Sequence, residues 1–498
     1  MIFGRVKSLD AILATAKKNS LNRSLGAFQL TMLGIGGTIG TGIFVLTAAA
    51  ATKAGPAMMI SFIIAGTVCL LTALAYAELA AMVPVSGSAY TYSYATFGEI
   101  IAWIVGWALV LEYAIAASAV SVGWSGYMVG LVERLFSVEV SNAFVHGPFD
   151  SEPGIINLPA MFIALAMALL LLVGTKESAR FNAVLVMIKI AALLLFLVLA
   201  LPMMQVENFS PFMPNGFFAK EVADPATGNL IAVGVASAAA TIFFAYVGFD
   251  AVSTAAEETI NPNRNIPIGL IGALGISTVL YLLVAAAATG SVGAQPGGEL
   301  AKSDEALAYV LQAIGYPWGG QLLAIAAGLA LPSVILTLMF GQTRIFFVMA
   351  RDGLLPPVFA KIHPKYQTPH VITIVTGIFV ALFASFFPVE SLADISNSGT
   401  LLAFMTVAIG VMVLRLKQPD RHRPFRTPVV WLTAPLAALG CGFLFFSLSS
   451  YTLMLFVGWV VIGLVVYFAY SRSRSHVGLG RMEVHENDAD IPPMPGTV

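Results

Sequence analysis

Charge is scarce in this chain. Asp, Glu, Lys and Arg together supply 10% of its 498 residues, against roughly 25% in a soluble globular domain. With 58% hydrophobic residues and a mean hydropathy of +0.88, the sequence excludes a soluble fold and reads as an all-α, polytopic membrane protein. Cysteine is nearly absent. The two present, Cys69 and Cys441, lie in apolar runs, so there is neither a disulfide framework nor a zinc spacing, and both read as packing residues. None of the six histidines falls clearly within an apolar run, and no nucleophile elbow or metal-ligand spacing occurs, which argues against an enzyme, a metal or an organic cofactor. A net charge of -1 argues against a nucleic-acid partner. No short apolar region with a cleavage site precedes the first long run, so no cleaved signal peptide is expected.

What the chain has in abundance is apolar length. A bilayer crossing needs about 20 residues, and twelve such stretches are expected near 28–50, 57–83, 97–130, 156–173, 181–204, 228–256, 267–292, 319–349, 370–387, 391–414, 428–448 and 451–471. Sorting Lys and Arg by loop puts twenty on one side of the membrane and four, Lys53, Arg134, Lys220 and Lys302, on the other. Positive charge collects on the cytoplasmic side, which places both termini inside, with lipid as the surrounding partner. The last cation, Lys189, falls inside span 5. The tail "HENDADIPPMPGTV" is polar and proline-bearing and reads as disordered.

Spans 1–5 and 6–10 form two groups of five. Five is odd, so the second group crosses in the opposite sense, the arithmetic of an inverted repeat. The expected organisation is a cytoplasmic segment 1–25, a first repeat 26–205, an external loop 206–227, a second repeat 228–415, a basic loop with spans 11 and 12 over 416–472, and a tail 473–498.

Within span 1 the stretch "LGIGGTIGTGIF", Leu33–Phe44, has five glycines in twelve residues. Glycine is a weak helix former, and hydrocarbon offers no water to the amides it frees. A break here, matched by a second break at "FFAYVGFD", Phe243–Asp250, is the sequence signal of a transporter site near the midplane. Amides around Gly40, Thr41 and Gly42, with the Thr41 hydroxyl, suit a carboxylate, and the carbonyls of Thr38, Phe244, Ala245 and Val247 suit an ammonium. One α-amino acid carries both groups. The same spacing of small residues also serves close helix packing.

Lys189, in "VLVMIKIAALL", costs about 2.5–3.5 kcal/mol to insert, and desolvation brings a lysine toward exchanging a proton near neutrality. It is the candidate proton carrier; the alternative is a lysine that snorkels to the interface. Glu112 and Asp250, the deepest acids, either complement a cationic substrate side chain or cap a neighbouring helix break. Glu78, near the inner end of span 2, reads as a solvated or gating charge. "AEETINPNRNIPIG", with Glu257, Glu258 and Arg264, and "GQTRIFFVMARDGLLP" offer opposite charges for an inner latch, although solvated helix ends explain them better. "RLKQPDRHRPFRTP" reads as a topology determinant facing anionic lipid. "GELAKSDEALAYVLQAIG" reads as an amphipathic helix on the outer face, either a gate or an ordinary surface helix.

Five ordered motifs, "GIGGTIGTGIF", "YATFGEIIAWIVGWALVLEY", "FFAYVGFDAVSTAAEETINPNRNIPIG", "GQTRIFFVMARDGLLP" and "RPFRTP", together resemble the cationic amino acid transporter family of the amino acid, polyamine and organocation superfamily. The likeness runs from about Leu25 to the twelfth span. It implies a five-plus-five inverted repeat with two further helices, and amino acid uptake by alternating access as spans 1, 2, 6 and 7 rock against a scaffold. It implies substrate carboxylate at Thr41 and Gly42, ammonium at the carbonyls of Thr38, Phe244, Ala245 and Val247, and Lys189 where sodium sits in sodium-coupled relatives, hence a proton as coupling ion. Asp250 and Glu112 match acids of the family. Twelve spans instead of fourteen point to a prokaryotic member, whose substrates include arginine, lysine, ornithine and small neutral amino acids such as alanine. An exchanger or a non-transporting sensor is the alternative, and neither the side-chain pocket on spans 3, 8 and 10 nor any small membrane-protein partner is assigned.

Overall fold

The computed structural model describes residues 5–7, 9, 25–84, 88–150, 152–173, 179–223, 230–256, 259–365 and 368–480. Glu257, Glu258 and most of the tail lie outside these residues, as does most of the segment before Leu25.

The chain is predominantly helical. Its first apolar stretch is divided into α1 (Ala27–Thr38), α2 (Thr41–Phe44) and α3 (Leu46–Ala54). It turns at Gly55, whose φ of 63° suits glycine, into α4 (Met58–Met82). Then follow α5 (Ser88–Thr96), α6 (Glu99–Phe136), α7 (Leu158–Val173), α8 (Ala179–Ala200), an antiparallel hairpin of β1 (Lys220–Ala223) and β2 (Leu230–Val233), α9 (Val235–Ile242), α10 (Ala251–Thr254), α11 (Pro262–Val292), α12 (Ala306–Ala313), α13 (Pro317–Arg351), α14 (His370–Phe386), α15 (Val389–Lys417), α16 (Val430–Phe445) and α17 (Ser450–Val466). Among the described residues, eight helical segments are long and apolar enough to cross a membrane, and α7, α14 and α16 are shorter apolar helices. Apolar side chains such as Phe162, Val198, Leu382 and Met454 stand exposed on the outside, as a lipid-facing surface requires. The molecule is a multi-pass membrane protein.

The packing separates two groups. α11 lies against both α1 and α4, and α9 lies against α3 and α4. The long α6 lies against α13, α14 and α15, with α7 beside α14. Small residues allow these approaches: a Cβ on Gly34 would stand 2.6 Å from the Ala273 methyl, and one on Gly399 would stand 2.8 Å from the Ala108 carbonyl.

The segment before α9, expected as an external loop, contains the β hairpin. The amphipathic outer segment is shorter than expected, a single 3₁₀ turn (Leu300–Lys302) and then α12. Both cysteines are buried and free, with Thr72 Oγ1 3.7 Å from Cys441 Sγ.

Candidate functional site

The break in the first stretch falls at Ile39 and Gly40, where φ and ψ leave the helical region (-74°, 97° and -152°, -148°). The partner break follows a 3₁₀ turn at Phe243–Tyr246. There Val247 is extended and Gly248 has a φ of 104°, a conformation that side chains rarely adopt. The two breaks face each other. A Cβ on Gly37 would stand 2.8 Å from the Gly248 carbonyl oxygen, and one on Gly248 would stand 2.8 Å from the Gly37 oxygen. Gly42 likewise abuts the chain at Ala245, with the Ala245 Cβ 2.5 Å and the amide nitrogen 2.8 Å from where its own Cβ would be. Gly40 is different, facing only the Val334 methyls at 3.6 and 3.7 Å. Part of the glycine run therefore exists to let two broken helices touch.

The remaining polar groups gather where they touch. Thr38, Thr41, Gly40 and Gly42 are buried, as are Phe244, Ala245 and Val247. The first amides of α2 have no partner within that helix, and the buried Thr41 hydroxyl has no hydrogen-bond partner among the described residues. Thr38 Oγ1 bonds to the Gly34 carbonyl at 3.0 Å and to Ser277 Oγ at 3.0 Å. Across the gap, the Tyr281 hydroxyl of α11 lies 2.8 Å from the Thr38 carbonyl and 3.0 Å from the Ala245 carbonyl, so one phenol spans both breaks. Sequence reasoning missed it. Its signal was the one tyrosine in a span, 267–292, that has no charged residue, since a buried phenol needs a partner.

Lys189, on α8, is buried, and its Nζ donates to the Gly36 carbonyl at 2.9 Å, within the last turn before the break. It reaches the interior of the protein and does not run to an interface.

Glu112 and Asp250 are both buried near one another. Tyr113 donates to Asp250 Oδ2 at 3.1 Å, while Asp250 Oδ1 and both Glu112 carboxylate oxygens have no hydrogen-bond partner among the described residues. The Glu112 backbone is held by α15, whose Ser396 hydroxyl donates to the Glu112 carbonyl at 3.1 Å. Beside them Phe404 of α15 packs edge-on against Tyr76, Phe243 and Phe249, with centroids at 5.4, 5.7 and 5.1 Å. Phe243 and Phe249 fall in the stretch already singled out as the second break, whereas nothing in the sequence reading marked Tyr76 and Phe404.

Two charges outside the site stand differently from their sequence reading. Glu78 is buried and paired, not solvated: Arg415 forks it at 2.9 and 2.7 Å, Arg423 reaches it at 3.2 Å, and the Thr427 amide donates at 2.7 Å. The basic run of the loop before α16 is thus tied to α4 as well as being cationic. Lys53, counted above as a loop cation, is buried against Glu390 at 2.9 Å, Asp394 at 3.2 Å and Thr241 at 2.7 Å.

Comparison with known proteins gives this geometry a family. The model for the family described as amino acid permease matches residues 25–470. The branched-chain amino acid permease BcaP of Bacillus subtilis (strain 168) is 46% identical over 475 residues, covering 95% of this chain and 98% of that protein. The methylthioribose transporter of the same organism is 43% identical over 95% of this chain and 98% of its own length. The human cationic amino acid transporter 4 is 35% identical over 83% of this chain and 62% of its own. A chain matched almost from end to end, with two breaks meeting at its centre, belongs to the amino acid permease family of membrane transporters and is not an enzyme.

Proposed function

We propose that this protein imports L-amino acids across the inner membrane by alternating access, coupled to protons. In this reading the chain makes twelve crossings with both termini in the cytoplasm. Residues 26–205 and 228–415 are the two halves of an inverted repeat, and α1–α4 with α9–α11 are the part that rocks. The substrate carboxylate docks on the amides and hydroxyl around Gly40, Thr41 and Gly42. Its ammonium docks on the carbonyls of Thr38, Phe244, Ala245 and Val247, with Tyr281 trading its hydrogen bonds as the two breaks separate.

The observation that carries the coupling is Lys189. Its ammonium rests on the Gly36 carbonyl beside the break, so losing its proton removes the positive charge and weakens the hydrogen bond to α1, which couples protonation to the position of the substrate-binding segment. Two side-chain classes have support. Glu112, buried beside Asp250, suits lysine, arginine or ornithine. The relative named for branched-chain amino acids, at 46% identity, favours a neutral side chain.

The test is uptake into proteoliposomes with a neutral interior and an acidic exterior, comparing labelled leucine, alanine, arginine and lysine. Accumulation that disappears when an ionophore collapses the gradient supports proton symport, and the preferred label assigns the side chain. Uptake that ignores the gradient and needs unlabelled amino acid inside would replace symport with exchange. Binding without accumulation would make the protein a sensor.

A further inference from the structure

Above the site lies the segment Leu300–Ala313, whose helix α12 packs on α3, α8, α11 and α13 together. Its residues Ala306, Leu307, Ala308, Val310 and Leu311 are buried, and Thr52 of α3 donates to the Ala301 carbonyl at 3.3 Å. It therefore roofs helices from both packing groups. Its corner, Asp304 and Glu305, seats on the outer end of α6 along one helical stripe. A Cβ on Gly126 would stand 2.9 Å from Asp304 Cβ, and a Cβ on Gly130 would stand 2.8 Å from the Glu305 carboxylate. One turn further on, Arg134 forks Glu305, with Nη2 2.8 Å from Oε2.

On its other side the corner meets His146. Nδ1 of that ring is 3.3 Å from Asp150 Oδ2, and Nε2 is 3.9 Å from Asp304 Oδ2. The loop carrying His146 is firmly held. Asn157 accepts from Ser125 of α6 at 2.8 Å and from the Ala160 amide at 3.0 Å, its own amide donates to the Ser385 carbonyl at 2.9 Å, and Phe149 stacks on Phe387. A fixed loop therefore presents an imidazole to a corner of the roof. Both ring nitrogens face carboxylates, an arrangement that only the doubly protonated ring satisfies.

We propose that His146 is a sensor of external pH, which pins the Leu300–Ala313 roof when its ring is protonated and loosens it when the ring is neutral. The charged groups acting on the ring, among the described residues, are Asp150 and Glu152 from its own loop and Asp304 from the roof. The hydrogen bond to Asp150 leads in raising its pKa above 6.5, opposed by partial burial and aided by the charges of Asp304, Asp150 and Glu152. The sign follows: a pKa raised in the folded state means that the pin is lost as pH rises through the raised histidine value, and it also weakens at the acid end, where the Asp304 carboxyl, raised to about 6 by burial, takes up a proton. The Arg134–Glu305 pair keeps the corner seated in either state, so the switch tunes the opening of the roof without unfolding it.

The word "external" rests on the orientation proposed above, and the test separates the two. Amide hydrogen exchange of residues 300–313 is followed in the purified full-length protein between pH 6.5 and 8.5, above the raised Asp304 value of about 6, and corrected for the intrinsic rate. Protection is expected to fall by up to about fivefold across the titration, the range of a partly exposed ion pair. His146→Gln is expected to hold the low protection at every pH, and Asp150→Asn to move the midpoint down toward the ordinary histidine value. An unchanged pH profile in His146→Gln, or a flat one in the wild type, would overturn the sensor. In proteoliposomes, a response to acid inside but not outside would overturn the orientation and leave the sensor standing.

Discussion

Replacing Gly42 by alanine tests whether the two breaks must touch. The new methyl would stand 2.5 Å from Ala245 Cβ and 2.8 Å from its amide nitrogen, about 1 Å inside the 3.5–4.0 Å of a normal carbon contact. Ala245 cannot swing away, since its atoms here are backbone and Cβ and its carbonyl is held by Tyr281 at 3.0 Å. Overpacking of this kind costs about 1–3 kcal/mol, which as a coupling between site geometry and substrate corresponds to roughly 5- to 150-fold in affinity. Gly40→Ala is the control, because its methyl meets only Val334 at 3.6 Å, an ordinary contact. Substrate affinity would be measured by scintillation proximity and thermal stability by fluorescence on the detergent-solubilised proteins. Gly42→Ala is expected to lose affinity within that range and Gly40→Ala to lose less. Equal affinities in Gly42→Ala and the wild type would refute the claim that the site depends on the contact between the breaks.

Further substitutions probe the other parts of the site. Lys189→Ala removes the donor to the Gly36 carbonyl and is expected to abolish accumulation driven by a pH gradient while the protein still elutes as a folded species; retained gradient-driven uptake would take Lys189 out of the coupling. Tyr281→Phe leaves the Thr38 and Ala245 carbonyls without their shared donor, and at about 0.5–1.5 kcal/mol for the lost hydrogen bond it should reduce transport severalfold with little change in expression. Glu112→Gln is expected to lower binding of arginine and lysine and spare that of leucine if the carboxylate reads side-chain charge; parallel losses for all three would make it structural. Glu78→Gln breaks a buried pair with Arg415, whose rupture costs about 3–5 kcal/mol. It should lower the thermal midpoint clearly, and an unchanged midpoint would show the pair to be solvated in the membrane.

The membrane class, the run of apolar crossings and the position of both breaks could be read in the chain without a structure. Each is a local property: hydrocarbon length selects about 20 apolar residues, and glycine where a helix is expected marks the place where it stops. Gly40 and Gly248 illustrate this, since both sit in residues already singled out. The motifs also carried the family, because five ordered segments spread over the chain leave little room for coincidence.

What the sequence by itself determined was therefore the solvent, the apolar runs, the two broken segments and the residue types that line them. Only tertiary structure decided which groups meet. Gly42 touches Ala245, about two hundred residues away. Tyr281 ties Thr38 to Ala245, Arg415 ends on Glu78, and Lys53 leaves its expected place in a loop for Glu390 and Asp394. The physical reason is that a buried polar group must find a partner wherever the fold brings one. A sequence displays the need for that partner, and only the packing of helices distant in the chain names it.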